Sequence, residues 1–273
     1  TLGTCIHCAK SKAKKKNVSK ASTSPKATVP GGRVYLDLSV VTVPKSDGTN
    51  VAINQKNWKI VVDEATGKKW ASFTATKSGM VEETCEFFNL LKTRGVPMMK
   101  VRMDPGGENI ALEKRMQTVE WQALQPIDCE FTSRDTPQHN HLAELSFPYL
   151  ASTARAMING ANVPTGTRAK VAIEAIKCAT QLDGLRVIKL NGVSSSRDIH
   201  VYGTNPTWVT SMRTFGEAGV VTEGKRGKTG DRGLDMMFVG YSGREHDSCR
   251  MWNPVTNRVV VTRDVIWLKI MFF

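Results

Sequence analysis

The sequence predicts an α/β fold, a mixed sheet flanked by helices, followed by a small β-rich module. Three observations carry this. Runs rich in β-branched and aromatic residues recur at Val34 to Val43, Asn57 to Asp63, Lys69 to Ala75 and Pro97 to Met103. Stretches with apolar residues at helical spacing follow them, as at Val81, Cys85, Phe88 and Leu91. Beyond residue 205 the helical pattern gives way to short strands broken by Gly and Asn-Pro turns, the pattern of a small β-barrel. A chain of 273 residues is long enough to bury the core such a fold needs.

Taken in order, residues 1–30 cannot form part of that core. Cys5 and Cys8 have the two-residue spacing of half a zinc site, and no second pair follows at suitable spacing. Such a pair also arises by chance in a tail. Lys10, Lys12, Lys14, Lys15 and Lys16 then lie among Ser, Thr, Ala and Pro, a composition of solvated linkers that also suits sequence-blind contact with phosphates. Residues 31–190 read as the main α/β domain. The turn-like Glu64-Ala-Thr-Gly67 joins the second and third strands into a hairpin, so Asp63 and Glu64 are turn residues. A helix over Glu82 to Lys92 ends at Arg94-Gly95. Residues 110–124 read as helical and Pro126 to Thr132 as a short strand. Glu174 reads as a helix surface or capping group, and Asn191 to Asp198 as a polar loop. Residues 191–273 are the polar linker and the β-rich module. There Phe238, Val239 and Tyr241 read as core, and Lys225, Arg226, Lys228 and Arg232 lie in a Gly-rich loop suited to phosphate contact.

Three acids stand out against this frame. Asp37 sits within the first strand, Asp104 follows the fourth, and Glu144 opens a helix after Thr136-Pro-Gln-His-Asn-His-Leu-Ala. Singly, each has an ordinary role: a solvent-facing strand residue, an Asp-Pro-Gly-Gly turn, a helix-start carboxylate favoured by the macrodipole. Delivered by two strands and a helix to one sheet edge, they repel one another unless a cation joins them. Mg²⁺ takes oxygen ligands and leaves positions for phosphate and water. His139 and His141 have no partners at metal spacing.

The residues around these acids resemble the integrase region of copia-type retrotransposon polyproteins. Asp104-Pro-Gly-Gly-Glu is similar to the family's Asp-Asn-Gly-Gly-Glu, and Thr136 to Glu144 to its Thr-Pro-Gln-Gln-Asn-Gly-Val-Ala-Glu. Sixty-six residues separate Asp37 from Asp104, and 39 separate Asp104 from Glu144, slightly more than is usual in the family. Further on, Met212-Arg-Thr-Phe-Gly216, Lys228 to Ser242 and Met251 to Val265 resemble the family's C-terminal motifs in the same order. The resemblance implies a ribonuclease H-like core of retroviral integrase type. It implies Asp37, Asp104 and Glu144 as catalytic ligands of two Mg²⁺ or Mn²⁺ ions. Cys5 and Cys8 become the last two ligands of an N-terminal Zn²⁺ domain whose other ligands lie upstream.

The implied activity is that of a polynucleotidyl transferase of the Asp-Asp-Glu type, trimming the element's DNA ends and joining them to target DNA. The implied partners are DNA, further copies of the chain and the rest of the polyprotein. The implied location is the nucleus, after a stage in a cytoplasmic particle. Because the chain starts at Thr1, it reads as a segment of a longer product. It departs from the family after Glu144, where Leu145 and Pro148 replace basic residues that help hold DNA, and Pro148 falls inside the helix. Pro105 and His141 are smaller departures. They suggest a decayed or divergent copy, and leave open a non-catalytic nucleic-acid-binding relic of the same fold or a ribonuclease H-like nuclease.

Composition agrees. Lys and Arg number 38 against 25 Asp and Glu, a net charge of +13 that favours a polyanionic partner. No run approaches the roughly 18 apolar residues of a membrane span. Six cysteines, only two of them close together, and no secretory signal fit a reducing compartment. No P-loop, dinucleotide fingerprint or Gly-x-Ser-x-Gly elbow is present.

Overall fold

The computed structural model describes residues 25–43, 49–132, 140–222, 232–244 and 247–273. Strands β1 (Val34–Val40), β2 (Asn57–Asp63), β3 (Lys69–Thr74), β4 (Lys100–Met103) and β5 (Asp128–Phe131) form one mixed sheet in the order β3-β2-β1-β4-β5. The first three are an antiparallel meander, with the expected hairpin closing over residues 64–68. β4 and β5 join parallel to β1, each reached through helices. These helices are α1 (Gly79–Thr93), between β3 and β4, then α2 (Gly107–Met116) and α3 (Val119–Leu124), before β5. The single helical stretch expected over 110–124 is thus two helices. Thr118 divides them, its hydroxyl accepting the Trp121 N–H as an N-cap.

Both faces of this sheet are covered, which is why its strands read as near-continuous apolar runs. Alternation along β1 sends Val34 and Leu36 to one face, where they meet Phe88 and Leu91 of α1 and Leu112 and Met116 of α2. Tyr35 goes to the other face, with Ile60 and Val62 of β2. That face is covered by α4 (His141–Gly160) and α5 (Thr165–Asp183) through Ala143, Leu150, Val171 and Ala175.

Residues 191–198 are not the loop that was expected. Val187–Leu190 (β6) and Val193–Ser196 (β7) pair as a hairpin about Asn191 (φ 49°) and Gly192 (φ 85°), and α6 (Arg197–Tyr202) follows. Two consecutive positive φ values make an Asn-Gly turn of the kind that fits strand twist. The Ser196 hydroxyl then caps α6 by accepting the Ile199 N–H.

The last five strands, β8 (Glu217–Thr222), β9 (Gly233–Tyr241), β10 (Cys249–Asn253), β11 (Arg258–Thr262) and β12 (Val265–Met271), form one antiparallel sheet in the order β11-β10-β9-β8-β12. Register shifts at Arg250/Met251 and between Trp267 and Met271 mark bulges, which bend strands. Phe238, Val239 and Tyr241 are buried, as expected. Met237, Val239 and Trp252 enter the same apolar cluster as α5 and the first sheet, so the second module packs on the first. Gly240 makes this possible: at φ 137° a Cβ there would stand 3.3 Å from the Cys178 Cβ of α5.

Glu174 is a correction. It is buried, not a surface or capping group: its carboxylate takes Arg250 of β10 at 2.7 Å and Lys177 at 3.0 Å, tying α5 to the second sheet. Burial raises its carboxyl, but the Arg250 and Lys177 cations outweigh that and hold it below the usual range.

Candidate active site

The site's geometry follows from strand register. β1 and β4 pair in parallel as Val34 with Val101 and Tyr35 with Arg102. The same offset carried two residues further sets Asp104, just past the end of β4, beside Asp37. Adjacent strands lie about 4.8 Å apart, so two carboxylates meet at one edge. The third arrives on α4. Its preceding residue, Asn140, donates from Nδ2 to the Leu36 carbonyl at 3.2 Å, fastening the helix start to the residue before Asp37. Glu144 lies one turn further, in the first turn, where the helix dipole favours a negative charge.

The electrostatics register this convergence. Burial pushes the Asp37 carboxyl up to about 6; Asp104 and Glu144 push the same way, while the Leu38 N–H, at 2.8 Å, pulls it down. Asp104 and Glu144 are both exposed. Asp104 is held locally: Oδ1 accepts the Asn109 carboxamide and, at 3.3 Å, the Gly106 N–H. Of the two glycines in the Asp-Pro-Gly-Gly turn, Gly106 has a steric reason, since a Cβ there would stand 3.2 Å from Asp104 Oδ1; at Gly107 nothing lies within 4 Å. Glu108 is drawn below the usual carboxylate range, first by its own backbone N–H, with burial opposing and Lys77 at 3.2 Å assisting.

A hard divalent cation fits this donor set: three carboxylates, one of them raised first by burial and further by the other two, and no competing Lys or Arg pair to the three among the described residues. The fit is in the chemistry of the donors, not in a closed cage. Among the described residues no three His, Cys, Asp or Glu side chains are arranged to hold an ion. His141 is packed edge-on against Tyr35, ring centroids 6.2 Å apart.

Beyond Glu144 the helix surface matches the expected departure. Leu145 is 64% exposed, an apolar side chain facing solvent. Helix α4 runs through Pro148, which supplies no N–H to the carbonyl four residues back, that of Glu144 itself. The expected Zn²⁺ ligands Cys5 and Cys8 lie outside the described residues, as do Lys10, Lys12, Lys14, Lys15, Lys16, Lys225, Arg226 and Lys228. Arg232 is exposed just before β9. Sequence reasoning missed Asn109 and passed over Asn140. Both are buried, and their polarity inside apolar surroundings marks them only once the fold is known. The Asn140 Oδ1 has no hydrogen-bond partner among the described residues.

Residues 218–272 match the family model of the retroviral polymerase SH3-like domain. Over 239 residues, 86% of this chain, the sequence is 26% identical to the retrovirus-related Pol polyprotein from transposon TNT 1-94 of Nicotiana tabacum. The match spans 17% of that polyprotein's length. Among solved structures, a chain of the simian T-cell lymphotropic virus intasome in complex with PP2A regulatory subunit B56 gamma aligns at TM-score 0.47 and 12% identity, covering 98% of this chain and 86% of that one. The HTLV-2 integrase catalytic core domain in complex with magnesium aligns at TM-score 0.40 and 16% identity, covering 62% of this chain and 95% of that one. The sequence matches, taken with the ordered motifs, support an integrase region of an LTR-retrotransposon polyprotein.

Proposed function

We propose that this chain is the DNA-joining part of a retrotransposon integrase, a metal-dependent polynucleotidyl transferase. The observation that carries the reading is the placement of Asp37 within β1 and of Asp104 just past the end of the parallel neighbour β4, with Glu144 in the first turn of α4. Asp37, Asp104 and Glu144 would hold Mg²⁺ or Mn²⁺. Bound there, a pair of such ions supplies activation of water or a 3′-hydroxyl and stabilisation of the leaving oxygen at phosphorus. The chain's own residues set up that chemistry. Asp37 carries a half-buried carboxylate, Asn140 fixes the helix start against β1, and Glu144 is exposed in the first turn. None of the three acids is assigned as a lone general base. The excess positive charge of +13 suits a DNA partner. Assembly of several copies, action within a longer polyprotein and a nuclear site of action, after a particle stage, belong to the same proposal.

A second reading has its own support. Exposed Leu145 and helix-interior Pro148 stand where basic residues would grip DNA. They favour a non-catalytic, DNA-binding descendant of the same fold. An assay with a duplex bearing the element's terminal sequence and Mn²⁺ separates the two. Joined or nicked products that vanish in Asp104→Asn support the integrase. Salt-sensitive DNA binding without products from either protein supports the descendant. Cleavage confined to RNA–DNA hybrids would point instead to a ribonuclease H-like nuclease.

A further inference from the structure

We propose that Asn109 is a positioning residue for Asp104, a carboxamide that fixes one carboxylate oxygen so that the other faces an incoming cation. The inference rests on the reading of the acidic edge as a divalent-cation site.

Asn109 lies in the first turn of α2, 2% exposed, under the loop that carries Asp104. Its Nδ2 donates twice to the same residue, to Asp104 Oδ1 and, at 3.1 Å, to the Asp104 main-chain carbonyl. The two bonds grip both ends of one residue, so neither the loop nor the side chain turns freely. The Gly106 N–H also goes to Oδ1. Among the described residues Oδ2 accepts no hydrogen bond, and the residue is exposed. One oxygen is thus committed to the protein and the other left to the site.

The chemistry of the donor matters as much as its place. A Lys or Arg at 109 would hold the carboxylate equally well but would also neutralise it, and would compete with the cation. A carboxamide orients without cancelling charge. Outer partners of this kind govern ligand orientation, and their removal typically weakens metal binding about 10- to 100-fold. Among the described residues Glu144 has no comparable partner, so Asp104 is the fixed ligand and Glu144 the one that adjusts.

Mn²⁺ affinity, measured by calorimetric titration on the whole chain, tests this without reference to activity. Asn109→Leu keeps the branched heavy-atom shape and removes both donors; it is expected to bind Mn²⁺ about 10- to 100-fold more weakly than the parent. In an Asp104→Asn background the same change is expected to do nothing further, because the group being positioned is gone. Unchanged affinity in a folded Asn109→Leu protein overturns the assignment. So does an equal loss in both backgrounds, which is the mark of general structural damage. Should the Leu variant fail to fold, Asn109→Ser decides: a several-fold loss confined to the Asp104 parent supports positioning, and none overturns it. Binding no tighter in the parent than in Asp104→Asn removes the cation site itself, and this assignment with it.

Discussion

Where β4 ends beside β1, Asp37, Asp104 and Glu144 gather like charges with little to offset them. At the other end, past the Val34–Asp63 pair, Lys68 and Lys69 lead into β3 and run into the opposite arrangement. Lys68 and Arg244 both reach Asp198 at the start of α6, the latter at 2.9 Å. Lys69 and Arg197 both reach Asp183 at the end of α5, the former at 3.0 Å. Asp198 is 1% exposed, and the lysines, Asp183 and Asp198 are all buried. Burial draws the Lys68 and Lys69 ammonium groups below the usual lysine range, and their Asp partners oppose it. Arg244 Nη1 stands at ion-pair distance without hydrogen-bond geometry, so charge, not directed bonding, joins it to Asp198. This knot joins the first sheet's hairpin, α5, α6 and the segment after β9. Gly184 lets the chain pass it, since a Cβ there would collide with Lys68 Nζ at 2.3 Å. The same residue types therefore serve two ends. Compensated and buried, they lock segments together; uncompensated and half-open, they leave a desolvated Asp37 carboxylate beside two further acids, a cost that a bound cation would relieve.

The contrast can be broken in several ways. The largest expected effect is on chemistry: Asp104→Asn should lower metal-dependent DNA joining about 10³-fold or more, if losing a cation ligand removes about 4 kcal/mol of transition-state stabilisation. Gel analysis of joined products checks it. Next comes stability at the knot. Asp198→Asn leaves Lys68 and Arg244 buried without their counter-charge, and should cost about 3–5 kcal/mol in urea unfolding. Removing an acid at the other end should do the reverse. Asp37→Asn abolishes a charge the fold disfavours, and should raise metal-free stability at pH 7 by about 1–2 kcal/mol, after discounting for its partial exposure. A loss of stability in Asp37→Asn would erase the contrast.

The pH dependence sharpens the same point. Asp37's folded pKa of about 6 lies above its ordinary 3.8, so its stabilising contribution is complete below the ordinary value and is lost as pH rises through about 6. Metal binding runs the other way, because ligands must be ionised. Mn²⁺ affinity should therefore fall as pH drops below about 6, and the step should shrink in Asp37→Asn. Titration at a series of pH values checks it.

What could be read from sequence divides along the same line. The paired strands, the hairpin after Asp63 and the elements that carry Asp37, Asp104 and Glu144 were legible, because apolar periodicity and local motifs encode them within short windows. The charge knot was not. Lys68, Asp183, Asp198 and Arg244 are far apart in sequence, and lone charges are mostly exposed, so nothing local marks these as buried. Glu174 was misread for the same reason: its partner Arg250 is 76 residues away. The hairpin at Asn191-Gly192 was a local signal overlooked, hidden by the run of serines that follows it. Asn109 carries no signal at all until the loop above it is folded.

Thermal unfolding with and without Mn²⁺, for the parent chain and Asp37→Asn side by side, tests the central claim most directly. The account predicts that the parent melts at a lower temperature without metal and is raised by Mn²⁺, since an ion that binds only the folded state stabilises it. Asp37→Asn should start higher and respond little. A parent that ignores Mn²⁺, or an Asp37→Asn protein that melts below it, would contradict the reading of these three acids as a cation site held at a cost.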